Sequence, residues 1–194
     1  MSPATRFDHD RRFTGHTPGA VEPFVVECLP LIPILPVIPA RRVLDIAAGS
    51  GRHSLLLARA GSHVVAVDHS AVALNTLAKI ARVENLKITP VVAELENFPI
   101  RAQSYQAVLN VNYLDRNLLP ALKDALEPGG VLLFDTFIVD QAVFGHPRNP
   151  DFMLGHFELK AMLDGLELVR YREGLTTYPN GSQAWRASAL ARRS

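Results

Sequence analysis

Val43-Leu44-Asp45-Ile46-Ala47-Ala48-Gly49-Ser50-Gly51 is the stretch that decides how this chain folds. A short apolar run ends in a carboxylate, and a turn of two alanines and two glycines follows. Beyond it, Arg52 to Ala60 is apolar at Leu55, Leu56, Leu57 and Ala58 and stops at Gly61. Strand, glycine turn, helix is an arrangement that brings bare backbone against a ligand. Glycines at 49 and 51 allow positive φ and leave no Cβ in the way. A helix starting near Arg52 aims its free N–H groups at whatever sits over the turn. The stretch reads as a nucleotide-type cofactor site.

Outward from the turn the chain alternates. Val-, Ile- and Leu-rich runs at 42–47, 63–68, 87–92, 106–111 and 130–136 show little polar alternation, as strands covered on both faces do. Helical stretches lie near 52–60, 70–83 and 115–126; Ser70 is placed to cap the second and Pro128-Gly129-Gly130 to stop the third. Repeated βα units predict a doubly wound, parallel α/β sheet. At the end the pattern changes. A helix near 156–164 precedes an alternating strand from Leu166 to Tyr171, the turn Tyr178-Pro179-Asn180-Gly181, and a strand from Trp185 to Arg192. The second strand sets Trp185, Ala187, Ala189 and Ala191 on one face against Arg186, Ser188, Leu190 and Arg192. An Asn-Gly turn between two strands predicts a closing antiparallel hairpin.

Before the first strand, Gly19 to Leu29 has apolar residues at helical spacing, and Pro30, Pro33, Pro36 and Pro39 recur every third residue. That period suits polyproline II. The residues between the prolines are too apolar for an exposed SH3-type ligand, so a rigid connector is expected. The chain is therefore divided into 1–40, an N-terminal lid, helix and connector, and 41–194, the binding domain. His16, Arg6, Arg11 and Arg12 would belong to the lid.

Composition removes several classes of function. Of 194 residues, 20 are Lys or Arg and 19 Asp or Glu, a formal charge of +1, which calls for no nucleic acid or membrane surface. The single cysteine, Cys28, excludes an internal disulfide and reads as a buried apolar side chain. No His, Asp or Glu cluster has metal-ligand spacing, so no metal is expected. His53 and His63 read as helix-surface and strand-edge residues. No signal-peptide pattern and no run of about 18 apolar residues is present, so a cytoplasmic protein, monomer or homodimer, is expected.

The cofactor question turns on three positions. A dinucleotide fingerprint would need glycine where Ser54 stands, and Asp45 before the turn would repel a pyrophosphate. A carboxylate there suits an ammonium or sulfonium. Asp68, at the end of the second strand, is placed to accept both hydroxyls of a ribose, or else to cap a helix. Glu94 follows the third strand, placed for an exocyclic amine or as a plain loop acid.

Asp45-x-Ala47-x-Gly49-x-Gly51, Asp68, Ala93-Glu94-Leu95 and Glu127-Pro128-Gly129-Gly130 together resemble the class I S-adenosylmethionine-dependent methyltransferases over roughly residues 41–137. The resemblance implies a mostly parallel, seven-stranded Rossmann-like sheet with the C-terminal antiparallel hairpin. It also implies S-adenosylmethionine as cofactor and S-adenosylhomocysteine as product. Asp45, Ala47, Ala48, Gly49 and Gly51 would hold the methionine part, Asp68 the ribose, and His69 would flank the adenine. Glu94 and Leu95 would meet the adenine edge, with Asn110 beside the cofactor. Ala48 stands where Gly or Cys is usual, and Glu94 where Asp is commoner. Asn112-Tyr113-Leu114-Asp115-Arg116 through Pro120, with Phe134-Asp135-Thr136-Phe137, resembles the small tellurite-resistance-related (TehB-like) group.

A small-molecule acceptor is expected: a thiol, a chalcogen oxyanion or another small nucleophile, methylated by in-line displacement. The substrate-side candidates are Tyr113, Arg116 and Arg148, with His146 beside the last on a loop. Two other readings stay open here. One is a silent S-adenosylmethionine-binding sensor or scaffold, and the other an NAD-dependent oxidoreductase.

Overall fold

The computed structural model describes residues 17–32 and 42–194. The lid assigned to 1–17 and the polyproline connector lie almost wholly outside them, as does the boundary at 40/41. Of the four spaced prolines only Pro30 is described, in a 3-10 turn over Leu29–Leu31. The chain divides into two units, Met1–Pro99 and Ile100–Ser194.

In the first unit a short helix, α1 (Pro23–Cys28), starts with proline at its first turn, where no N–H is needed. It buries Phe24, Val25 and Cys28. Three parallel strands follow: β1 (Arg42–Ile46), β2 (His63–Asp68) and β3 (Ile88–Val92). Leu44 pairs with Val65, and Val65 with Thr89. Between them run α2 (Arg52–Arg59) and α3 (Ala71–Val83). Ser70 caps α3, its Oγ accepting from Ala73 N at 3.2 Å.

One expectation changes here. β3 is not covered on both faces; Thr89, Pro90 and Val92 are exposed. As the edge strand beyond β2 it can hold a proline, which lacks the ladder donor. His63 is the first residue of β2 and half-buried, with its Nε2 2.9 Å from Thr89 Oγ1.

Gly51 shows why the turn needs glycine. Its φ is +82°, and a Cβ there would lie 2.4 Å from Leu77 Cδ1. Leu77 packs in the cluster of Leu55, Ala66 and Leu74, with Ala48 against it. The missing Cβ makes room for the core, not for a ligand as the sequence reading had it. Gly51→Ala is expected to lose about 2 kcal/mol of stability in urea denaturation, the scale of an overpacked core. An unchanged midpoint would show that Leu77 yields freely.

The second unit contains β4 (Tyr105–Val111), α4 (Leu119–Asp124), β5 (Leu126–Phe137), α5 (Glu158–Met162), β6 (Glu167–Thr177) and β7 (Gln183–Arg192). β4 and β5 are parallel; β7 runs antiparallel to β5, and β6 to β7. Tyr178 N donates to Ser182 O at 2.9 Å, closing the expected Asn-Gly hairpin. The hydrogen-bonded order over the chain is β3-β2-β1-β4-β5-β7-β6, a seven-stranded sheet with a parallel core.

The helix expected from 115 begins only at Leu119, because Asp115 Oδ1 accepts from Asn117 N at 2.9 Å and holds a turn instead. Nor does Pro128-Gly129-Gly130 stop it, since it ends at Asp124 and those residues lie in β5. They form an irregularity there: Tyr105 pairs with Leu126, but Ala107 already with Val131. A Cβ on Gly130 would lie 2.9 Å from Glu127 O, so glycine is needed. β7 is buried on both faces rather than one, Ser188 and Leu190 as deeply as Ala187 and Ala189. Both rows are buried because both faces of the sheet are covered at β7.

Candidate functional site

In the first unit the polar residues gather at the carboxyl ends of β1 and β2, where open α/β sheets present ligands. Asp45 ends the apolar run of β1 and is 1% exposed. Its Oδ2 accepts from Ser54 Oγ at 2.6 Å, and the Ser54 backbone N–H reaches it too. The carboxylate thus satisfies donors of the first turn of α2. Ser54, standing where a dinucleotide motif would have glycine, is its partner. Burial pushes the Asp45 carboxyl up to about 6, against the lowering effect of the Ser54 hydroxyl and the Arg52 charge; the Asp68 charge raises it slightly further.

The turn itself runs through left-handed backbone at Ala47 (φ +50°), Gly49 (+55°) and Gly51 (+82°). Ala48 N donates to Val67 O at 3.0 Å and Gly51 N to Ala48 O at 2.9 Å. Asp68 holds the turn from the next strand, with Oδ2 accepting from Gly49 N and Oδ1 from Ser70 N, both at 2.8 Å. This joins the two readings of Asp68: it organises the start of α3 and faces the glycine turn. His69 is largely buried, its Nδ1 3.6 Å from Asp68 Oδ1. Ala93 N bonds Asp68 O at 3.0 Å, bringing the loop after β3 to the same strand end. There Glu94 is half-buried and Leu95 buried.

The sequence reading missed what stands at the start of α2. His53 is 5% exposed, not a surface residue, and its Nε2 accepts from Glu22 N at 3.3 Å. Arg52 reaches the same segment, donating to Glu22 Oε1 at 3.0 Å and Ala20 O at 2.8 Å. The segment before α1 is therefore tied to the helix that follows the glycine turn. Nothing in the spacing of Glu22 and Arg52, thirty residues apart, signals this.

In the second unit Asn110, on β4, is buried; its Nδ2 donates to Tyr113 O at 3.0 Å, and its Oδ1 has no hydrogen-bond partner. Beyond β4 and β5 opens a cavity of about 360 Å³, lined by residues 112–114, Phe137, His146, Pro147 and Phe152. Tyr113 is in its wall. Arg116 is not: it forks onto Glu158 (2.5 and 3.1 Å) and donates to the carbonyls of Asp151 and Met153. Arg148 is exposed and donates to Gly145 O at 3.0 Å.

A second omission lies behind that cavity. Arg186 is 2% exposed, its Nε 2.5 Å from Asp135 Oδ1 and its Nη2 2.6 Å from Asn112 Oδ1. Its guanidinium lies 4.6 Å from the centre of the Phe137 ring. Gln141 spans the same region, its Oε1 accepting from Trp185 N and its Nε2 donating to His146 O, both at 2.8 Å. An arginine within an alternating strand looks solvent-facing in sequence; here Asp135, Asn112 and Phe137 enclose it.

Residues 43–130 match the family model described as a methyltransferase domain. That match runs from β1 into β5, the part of the chain that carries the glycine turn, Asp68 and Glu94. Among solved structures, the chain is similar to TehB from Haemophilus influenzae, at 23% identity and TM-score 0.75 over 96% of this chain and 67% of that one. It is similar to geranyl diphosphate C-methyltransferase from Streptomyces coelicolor, solved with S-adenosylhomocysteine, at 17% identity and TM-score 0.70 over 100% and 99%. Magnesium protoporphyrin IX methyltransferase from Synechocystis, also with bound S-adenosylhomocysteine, matches at 18% identity and TM-score 0.67 over 98% and 95%. At these identities the likeness is one of fold. A comparison with curated proteins gave no match.

The residues at these strand ends fit S-adenosylmethionine, the cofactor that the resemblance implies. Gly49 and Gly51 supply left-handed backbone, a buried carboxylate stands behind the turn, and a second one is hydrogen-bonded to it. Among the described residues no His, Cys, Asp or Glu group is arranged to hold a metal, and no helix is long and apolar enough to cross a membrane.

Proposed function

We propose that the protein transfers the methyl group of S-adenosylmethionine to a small-molecule acceptor, and that Asp45, Ala47, Ala48, Gly49, Gly51, Asp68, His69, Glu94 and Leu95 hold the cofactor. The observation that carries this is Asp68 clasping Gly49 N across the ends of β1 and β2. Asp68 is the group for the ribose hydroxyls and Glu94 for the adenine edge. Asp45, nearly inaccessible, acts as a fixed negative charge behind the turn rather than as an exposed handle. For Asn110 the support is its buried, unpartnered Oδ1 together with the resemblance.

When bound, the cofactor supplies an electrophilic sulfonium methyl, so the chain's own task is to align an acceptor in line and exclude water. Of the substrate-side candidates Tyr113 is best placed, in the wall of the cavity. Arg116, forked on Glu158, fixes the segment 151–158 instead. A cytoplasmic setting belongs to the same proposal.

Calorimetry with S-adenosylhomocysteine, S-adenosylmethionine and NAD tests it. Binding of the first two and none of NAD is expected; the reverse would sink the reading. Asp68→Asn is expected to weaken S-adenosylhomocysteine binding by about 1.5–3 kcal/mol, the worth of hydrogen bonds to a charged group. Unchanged affinity would remove Asp68 from the site.

A further inference from the structure

We infer that the cavity beyond β4 and β5 selects a neutral acceptor with an apolar body and rejects oxyanions. The inference rests on the methyltransferase reading above and narrows its acceptor. Its volume, about 360 Å³, is that of a pocket for a ring-sized molecule rather than for a four-atom ion. Tyr113, Leu114, Phe137, Pro147 and Phe152 make most of the wall, and among the described residues no Lys, Arg, Asp or Glu lines it.

An oxyanion moved from water into such a wall loses hydration and needs a cation in exchange. The arginines of this unit nearest in sequence and structure are committed elsewhere. Arg116 is neutralised by Glu158, to which it donates twice, and its two further bonds go to backbone carbonyls. Arg186 touches two lining residues, Phe137 and Asn112, from behind, but Asp135 at 2.5 Å cancels its charge. Arg148 is exposed and outside the wall. Among the described lining residues His146 brings the one imidazole, and it is exposed. What remains attractive is apolar surface and aromatic rings, which favour a neutral molecule with an aromatic or aliphatic body.

The test is calorimetry at pH 7.5 with benzyl mercaptan, selenite and tellurite, run with and without saturating S-adenosylhomocysteine. Benzyl mercaptan is expected to bind at least about tenfold more tightly than either oxyanion, and to receive label from methyl-labelled S-adenosylmethionine. Phe152, 58% exposed, can be changed without disturbing the core. Phe152→Ser is expected to weaken benzyl mercaptan about tenfold and to leave S-adenosylhomocysteine within about twofold. Equal or tighter binding of selenite or tellurite would overturn the inference. So would binding of none of the three, or an affinity for benzyl mercaptan indifferent to Phe152→Ser. Failure of S-adenosylhomocysteine to bind would strike the cofactor reading alone, because the arm without it still reads the cavity's preference.

Discussion

Replacing Arg186 by methionine is expected to cost about 3–5 kcal/mol of folding stability, the scale on which breaking a buried ion pair destabilises. Arg186 and Asp135 face each other across β7 and β5, both essentially without solvent. Removing the guanidinium strands the Asp135 carboxylate beside Phe134 and Thr136 and takes a donor from Asn112 Oδ1. Removing both charges is a different matter, because it also removes the desolvation cost. The double variant Asp135→Asn, Arg186→Met is therefore expected to recover most of the loss. Urea denaturation of wild type, both single variants and the double variant measures this coupling. A loss below about 1 kcal/mol for Arg186→Met would mean that water reaches the pair. Since Asn112 and Phe137 line the cavity, the single variant should also bind acceptor poorly while holding S-adenosylhomocysteine.

That pair also marks where sequence reading stops. The order of elements was legible because each is a local signal: apolar runs for β1, β2 and β4, Ser70 before α3, and Asn180-Gly181 between β6 and β7. The seven-stranded arrangement was implied by resemblance and matches the strand order. What was not legible depends on partners far along the chain. Arg186 lies 51 residues from Asp135, and Glu22 30 from Arg52. Arg116 is instructive: its chemistry pointed to an anion, and it has one, but the anion is Glu158 of the same chain. For Gly51 the residue was singled out correctly and its reason was not, since the Cβ that glycine lacks would strike Leu77 rather than a ligand. At Asp68 the sequence left a helix cap and a ribose acceptor as alternatives; its two oxygens accept from Ser70 N at the start of α3 and from Gly49 N in the glycine turn.

Asp45→Asn is expected to make the protein more stable at pH 7.5 and poorer at holding its cofactor. The carboxyl is pushed from 3.8 up to about 6 by burial. A raised carboxyl means that the folded state holds its proton more tightly than the unfolded chain does. Stability from this group is therefore greatest below about pH 4 and is lost as pH rises from there through 6. At 1.36 kcal/mol per pKa unit the full loss is about 3 kcal/mol. Asparagine keeps the shape and an acceptor for Ser54 Oγ without the charge, so at pH 7.5 the variant should gain about 1–3 kcal/mol in urea denaturation. At pH 5 the gain should fall to about half, and below about pH 4 it should vanish, because the folded and unfolded carboxyls are then both protonated. The affinity runs the other way. The cofactor's cationic aminoacyl end meets no negative charge in the variant, and S-adenosylhomocysteine binding is expected to fall about thirtyfold, near 2 kcal/mol. Wild-type affinity should likewise decline below pH 6, by at most about tenfold per unit for one proton. A buried charge kept at a cost to the fold is the mark of a residue held for binding. If Asp45→Asn bound S-adenosylhomocysteine as wild type does, the carboxylate would be only the cap on α2 that its bonds to Ser54 also make it.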